Sequence, residues 1–250
     1  MAEEPGYLSI IIPARNDADA LCRTLDRLPI LAGRAAVEII VAASGDPEGT
    51  ERAVAGRARV IWPGGSTRAR LMNAGAAVAT GQTLLFLHAD SLPPVNFADM
   101  VITAFADGHA SGGAFEHRFT EAGLSLCVIS WINRMRYRLT GNYYGDQGIF
   151  VRAAVFQRLG GYRNLHLLED LEFSQRLRRV GCTVLIRAPM YTSGRRFLAR
   201  GPWRTFSFIV WILFCRTLGL DTSGMPCAGG VRRITLPAAR GLGAAWRRMR

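Results

Sequence analysis

Lysine is absent from this chain of 250 residues, and all 31 basic side chains are arginine. The absence excludes chemistry that needs an amine: a Schiff base, a pyridoxal anchor or the lysine of a P-loop. A coding bias toward arginine explains such a composition without any function. Cysteine is scarce, with Cys22, Cys127, Cys182, Cys215 and Cys227 scattered, odd in number and without a C-x-x-C pair. That excludes a disulfide framework or zinc cluster and fits a reducing compartment. The four histidines, His88, His109, His117 and His166, are too dispersed for a histidine-rich metal centre. No G-x-S-x-G, H-E-x-x-H, Walker A or G-x-G-x-x-G pattern occurs, and Gly64 to Arg70 shares only glycine content with a phosphate loop. A long apolar run is also missing. The longest, Thr205 to Cys215 between Arg204 and Arg216, would rise about 16 Å as a helix, half of a bilayer core. The opening MAEEPGYLS is acidic where a signal peptide is basic and then apolar, so a cytoplasmic protein is expected.

What is present is a folded globular composition, 49% hydrophobic and 20% charged. The net charge of +12 is unevenly placed. Residues 195–250 hold 11 arginines against one acid, Asp221, a net of +10, whereas residues 1–194 are nearly balanced at +2. A basic end on a near-neutral body suits an anionic partner. With Trp203, Phe206, Phe208, Trp211 and Phe214 among the arginines, Trp203 to Leu220 reads either as a helix lying on a membrane surface or as extra core. No aromatic platform or groove-reading motif supports nucleic-acid binding.

Short β-branched runs alternate with helical stretches in the first half. Leu8–Ile12, Val37–Val41, Arg59–Ile61 and Thr83–Leu87 read as strands, with helices over Asp17–Leu28, Gly49–Ala55 and Thr67–Ala79. This pattern predicts an α/β fold with a mainly parallel, doubly wound sheet and helices on both faces. Ligands in such sheets lie beyond the carboxyl ends of the strands. Later, Leu124 to Leu139 reads as a helix with Leu124, Val128, Trp131, Ile132, Met135 and Leu139 on one stripe. A strand follows at Gly148–Val151, then a helix ending near Gly160-Gly161 and another starting at Glu169.

The strand ends carry the candidates. Asp90 follows a buried strand and either holds Mg²⁺ or Mn²⁺ against a diphosphate or caps the next turn through Ser91. His88 is a softer ligand candidate or a packed loop histidine. Glu169-Asp170-x-Glu172 opens a helix, which the helix dipole favours in any case; alternatively one of these acids is a general base. Asp146 is a turn residue or a site acid, and Arg195-Arg196 is a candidate diphosphate clamp.

In order, SIIIPARND (from Ser9), VEIIVAASGDPEGT (from Val37), RARLMNAGAAVATG (from Arg68), LLFLHAD (from Leu84), GDQGIFVRAAVFQRLGGY (from Gly145) and LLEDLEFSQRLRRVG (from Leu167) resemble family 2 glycosyltransferases of the GT-A fold. Together with TSGRRF (from Thr192), they are similar to the bacterial arsenosugar biosynthesis subgroup. The similarity covers Leu8 to Leu220. It implies one domain over residues 1–220, with a nucleotide-binding half at about 8–92, an acceptor half at about 93–200 and a basic tail at 221–250. It further implies inverting transfer of a sugar from a nucleoside diphosphate sugar to an unidentified acceptor hydroxyl. Pro13, Arg15, Asp17, Arg68, Asn73, Gly75, Ala89, Asp90, Arg195 and Arg196 would then border the donor. Asp90 with His88 would hold Mg²⁺ or Mn²⁺, Asp170 beside Glu169 would be the base, and Asp146 and Gln147 would face the acceptor. One departure stands out: Ala43 occupies the place of an acid that contacts the nucleoside in the family. Donor recognition is then altered, supplied by Asp46 or Glu48, or weakened. The alternative is a non-catalytic nucleotide-sugar-binding protein of the same fold.

Overall fold

The computed structural model describes residues 7–217 except Ser66, and not the side chains of Arg196, Phe197 or 215–217. Leu218–Leu220 and the basic tail at 221–250 lie outside the described residues.

One sheet organises the chain. Its strands are β1 (Leu8–Arg15), β2 (Val37–Ser44), β3 (Arg59–Ile61), β4 (Thr83–Phe86), β5 (Ser91–Leu92), β6 (Ala110–Phe119), β7 (Ile149–Arg152) and β8 (Cys182–Thr192), in the order β3-β2-β1-β4-β7-β6-β8-β5. The first four run parallel; β7 is antiparallel to both β4 and β6, β8 is parallel to β6, and β5 is antiparallel to β8. Strand order reverses at β1, since β2 lies on one side and β4 on the other, and that switch opens a crevice at the carboxyl ends.

The central strand shows why the sheet is covered on both faces. Leu8, Ile10 and Ile12 pack with Leu21, Leu25 and Leu28 of α1 (Ala18–Leu31) and Phe97 and Val101 of α4 (Phe97–Thr103). Ile11 points the other way, to Ala69 and Met72 of α3 (Arg68–Val78), Phe156 of α6 (Ala153–Arg158) and Phe173 and Leu177 of α7 (Glu169–Val180). Alternation with period two thus feeds two cores. Gly75 of α3 is required by this packing, because a Cβ there would lie 2.5 Å from Ile11 Cγ2. Helix α2 (Pro47–Val54) follows β2.

Helix α5 (Leu124–Thr140) departs from the expected packing. It buries Leu126 and Ile129, while Leu124, Trp131 and Leu139 of the apolar stripe are 83%, 60% and 83% exposed. The stripe faces outward because α5 touches the sheet mainly along β6 and packs beside α9 (Pro202–Thr217), which follows the short α8 (Arg195–Arg200). Among the described residues, no helix is long and apolar enough to cross a membrane.

Candidate active site

An open groove lies at the ends of β1 and β2, lined by Asn16, Asp17, Ala18, Asp19, Asp46 and Thr50. Asn16 adopts a left-handed conformation (φ 51°), and its Oδ1 accepts the Asp46 N–H at 3.0 Å, tying the two strand ends together. Pro13 is half-buried, Arg15 exposed and Asp17 half-buried along this edge. Ala43 is buried in the core; of the two expected substitutes, Asp46 lines the groove with Asp17, and Glu48 is exposed on α2 outside that lining.

Beyond β4 the chain turns through His88-Ala89-Asp90, closed by the Ser91 N–H on the His88 carbonyl at 3.1 Å. Ala89 is a core residue whose carbonyl accepts the Thr24 hydroxyl at 2.7 Å, so it fixes the turn through its backbone. Asp90, at the end of this turn, is half-buried. Ser91 Oγ meets Thr192 Oγ1 at 3.1 Å, and Thr192 donates to the Asp146 carbonyl at 3.3 Å. This chain of contacts joins the Asp90 turn to the 3₁₀ turn Gly145–Gln147.

At the centre, residues distant in sequence converge. Glu169 and Asp170 open α7 after Leu168, which holds a left-handed φ of 60°. Such a conformation is costly for a branched side chain, and it presents the two acids side by side. Arg68, at the start of α3, has Nε 2.6 Å from Glu169 Oε1 and Nη1 2.8 Å from His88 Nε2. Asp170 Oδ2 accepts the Gly145 N–H at 2.6 Å. A Cβ on Gly145 would sit 2.7 Å from His88 Nε2 and 3.1 Å from Asp170 Oδ2, so only glycine lets the turn pass between them.

The electrostatics follow from this crowding. Burial raises the pKa of Glu169 and outweighs Arg68, with the Asp170 charge adding to the rise. Burial opposes the charge on Arg68, but Glu169, Asp170 and Asp146 prevail, and its pKa is raised. Tyr162, buried beneath the two acids, has its hydroxyl pKa raised by burial and by Asp170 and Glu169.

Several predicted donor or acceptor residues are engaged in holding the backbone. Asn73 donates to the Tyr162 carbonyl and accepts the Tyr162 N–H, both at 2.8 Å. Gln147, 5% exposed, donates to the Phe115 carbonyl at 3.0 Å and accepts the Tyr144 N–H at 3.0 Å. Asp146 Oδ2 lies 3.4 Å from His117 Nε2. Arg195 is exposed; its Nε donates to Ser193 Oγ at 3.1 Å, and that hydroxyl donates to Glu121 at 2.9 Å. The Arg196 side chain is outside the described residues.

No sequence signal marked Arg136, whose guanidinium lies over Tyr144, or Arg176, which binds the Leu159 and Gly161 carbonyls at 2.6 and 2.7 Å. Long-range convergence, which a linear reading does not carry, defines both.

Among the described residues no three His, Cys, Asp or Glu side chains could together hold a metal ion. His88 Nε2 faces the Arg68 guanidinium, which donates to it, so that nitrogen is not presented to a cation. The chemistry of the donor set therefore fits a hard cation held by Asp90 and completed by diphosphate oxygens, and does not fit an all-protein cage.

Residues 9–199 match the family described as Glycosyl transferase family 2. The chain belongs to that family, and its sheet is the GT-A fold. A mannosyltransferase from Pyrobaculum calidifontis, PcManGT, solved with GDP-Man and Mn2+, superposes with a TM-score of 0.60 at 17% identity, over 76% of this chain and 57% of its own. Residues 1–349 of TarS from S. aureus superpose with a TM-score of 0.59 at 14% identity, over 76% of this chain and 61% of theirs. The chain thus spans about three-fifths of the length of these structures. No curated protein matches the sequence.

Proposed function

We propose that the protein transfers a sugar, with inversion, from a nucleoside diphosphate sugar to an acceptor hydroxyl, using Mg²⁺ or Mn²⁺. One observation carries this: the Gly145 turn sets Asp170 beside the Arg68–His88 pair, with Asp90 two residues after His88 in the chain. Residues 8–92 form the donor half in this reading and 93–200 the acceptor half. The nucleoside lies in the Asn16–Asp46 groove, with Pro13, Arg15 and Asp17 along its edge, and Asp46 takes over the role that Ala43 cannot perform. Asp90 would hold the cation, which, when bound, offsets charge developing on the leaving diphosphate. Arg68 adds positive charge on the same side.

Asp170 removes the acceptor proton through its carboxylate, oriented by the Gly145 N–H. Attack from the side opposite the leaving group inverts the anomeric carbon. Asn73 and Gly75 act here as positioning residues, since one holds the Tyr162 backbone and the other lets α3 approach β1. Arg195, three residues after Thr192, extends toward the diphosphate, and Asp146 borders the acceptor. The test is transfer by the Asp90→Ala and Asp170→Asn variants: each abolishes turnover while the fold persists. Full activity in Asp170→Asn removes it as the base.

The enzyme works against an anionic membrane surface in this reading. Trp203, Val210, Trp211 and Phe214 of α9 are exposed, and the neighbouring α5 exposes Leu124 and Trp131. Apolar side chains on adjacent helices, with the +10 of residues 195–250, match the make-up of an interfacial element. Sedimentation with anionic vesicles but not zwitterionic ones, reduced by salt and by Trp211→Ser with Phe214→Ser, supports it; equal sedimentation in both variant and wild type contradicts it.

A further inference from the structure

Arg136 is a cation in search of an anion. Its guanidinium carbon lies 3.7 Å from the centroid of the Tyr144 ring, a stacked arrangement that fixes the plane of the fork. Its Nη1 is buried and has no hydrogen-bond partner in the protein. A buried donor left unused is unfavourable, most of all on a charged group. Its helical neighbour differs: Arg134 Nη2 lies 3.4 Å from a carboxylate oxygen of Glu116.

Two acids act electrostatically on Arg136. Asp146 Oδ2 lies 3.4 Å from His117 Nε2, and Asp170 accepts the Gly145 and Leu171 N–H groups. Burial lowers the pKa of Arg136, with Tyr144, Asp146 and Asp170 pulling it back. Tyr144, on which it stacks, is the residue immediately before the Gly145 turn that orients the base. Arg136 also belongs to α5, which packs on β6 in the acceptor half, whereas the donor groove lies at the ends of β1 and β2.

We propose that Arg136, held flat on Tyr144, binds an oxyanion carried by the acceptor, a carboxylate or a phosphate, adjacent to the hydroxyl that Asp170 deprotonates. Stacking fixes the plane of the fork, and the unpartnered Nη1 offers an N–H to such a group. The inference rests on the glycosyl-transfer reading above and names the class of acceptor: an anionic one.

The test is calorimetric titration of the full chain with inorganic phosphate and, separately, acetate, with UDP or GDP and Mn²⁺ present. Wild type binds one of the anions, Arg136→Gln binds it at least tenfold more weakly, and Arg134→Gln is unchanged. Tighter phosphate assigns a phosphate-bearing acceptor, and tighter acetate a carboxylate. In the absence of anion, Arg136→Gln melts at or above the wild-type temperature, because an unpaired buried cation has been removed; a lower melting point would make Arg136 structural and overturn the proposal. Equal anion binding by Arg136→Gln, or no anion binding by wild type, also overturns it. So does displacement of the anion by nucleotide, which would put Arg136 in the donor site. Failure of wild type to bind any nucleotide, by contrast, counts against the transfer reading itself.

Discussion

Replacing Asn73 separates a backbone clamp from a nucleotide ligand. Its amide makes two hydrogen bonds of 2.8 Å to the backbone of Tyr162, whose side chain is 3% exposed and packs edge-on to Phe86. Asn73→Ala leaves one N–H and one carbonyl without partners. At about 1–2 kcal/mol for each, the low end for partly buried groups, the loss is about 2–4 kcal/mol. For a chain of this size that is a fall in melting temperature of about 4–16 °C. Asn73→Asp accepts the Tyr162 N–H but sets a carboxylate against the Tyr162 carbonyl, so it recovers at most half of the loss. The assay is thermal unfolding by circular dichroism, paired with calorimetric nucleotide binding below the transition. The clamp predicts lower stability with nucleotide affinity within about threefold of wild type, since 1.4 kcal/mol is a factor of ten. A melting temperature within 1 °C of wild type together with lost nucleotide binding would refute the reasoning and return Asn73 to the donor site.

Gly145→Ala places a methyl group 2.7 Å from His88 Nε2 and 3.1 Å from Asp170 Oδ2. The turn must shift, and turnover falls by about 10²-fold for about 1 Å of misplacement; steady-state kinetics showing wild-type turnover would contradict this. Glu169 supplies a pH test. Its folded pKa is raised above the ordinary 4.5, so the stabilisation from its proton is fully present below 4.5 and is lost as pH rises through the folded value. Melting curves from pH 4 to 8 should show the wild type losing stability relative to Glu169→Gln as pH rises, whereas a constant difference would be inconsistent with the raised pKa.

Much of the first half of the chain was legible because its central strands, β1 and β4, are buried on both faces. Runs such as Leu8–Ile12 announce themselves, and β1 and β2 continue to Arg15 and Ser44, three residues beyond their predicted ends. Helix α1 runs past Leu28 to Leu31 although Pro29 lies inside it and removes one hydrogen bond to the carbonyl four residues back. The second half was harder. Strand β6 contains Gly112 and Gly113, which weaken the alternating pattern, yet a Cβ at either would lie within 2.6 Å of a neighbouring carbonyl oxygen. The α5 stripe had helical period but not a buried face, since periodicity fixes which residues share a side and not what covers it.

At the site, residue type and position mark Asp90 and the Glu169-Asp170 pair, whereas Arg68, Asn73 and Gln147 enter only through the family resemblance. The amides of Asn73 and Gln147 can donate and accept, and so serve a ligand or a backbone equally well. Their partners, Tyr162 and Phe115, are far away in sequence, and only the fold brings them together. The same holds for Arg68 with Glu169. Ala43 was legible as a departure, but that Asp46 lines the groove required the β1–β2 geometry.

The central claim is tested most directly by the melting temperature of the wild-type protein with UDP-, GDP-, TDP- and CDP-sugars, each with and without Mn²⁺. A donor at a hundred times its dissociation constant stabilises by about 2.7 kcal/mol, a rise of about 5–11 °C for a chain of this size. The account predicts such a rise for at least one donor, dependent on Mn²⁺ and lost in Asp90→Ala. No rise with any of the four would contradict it.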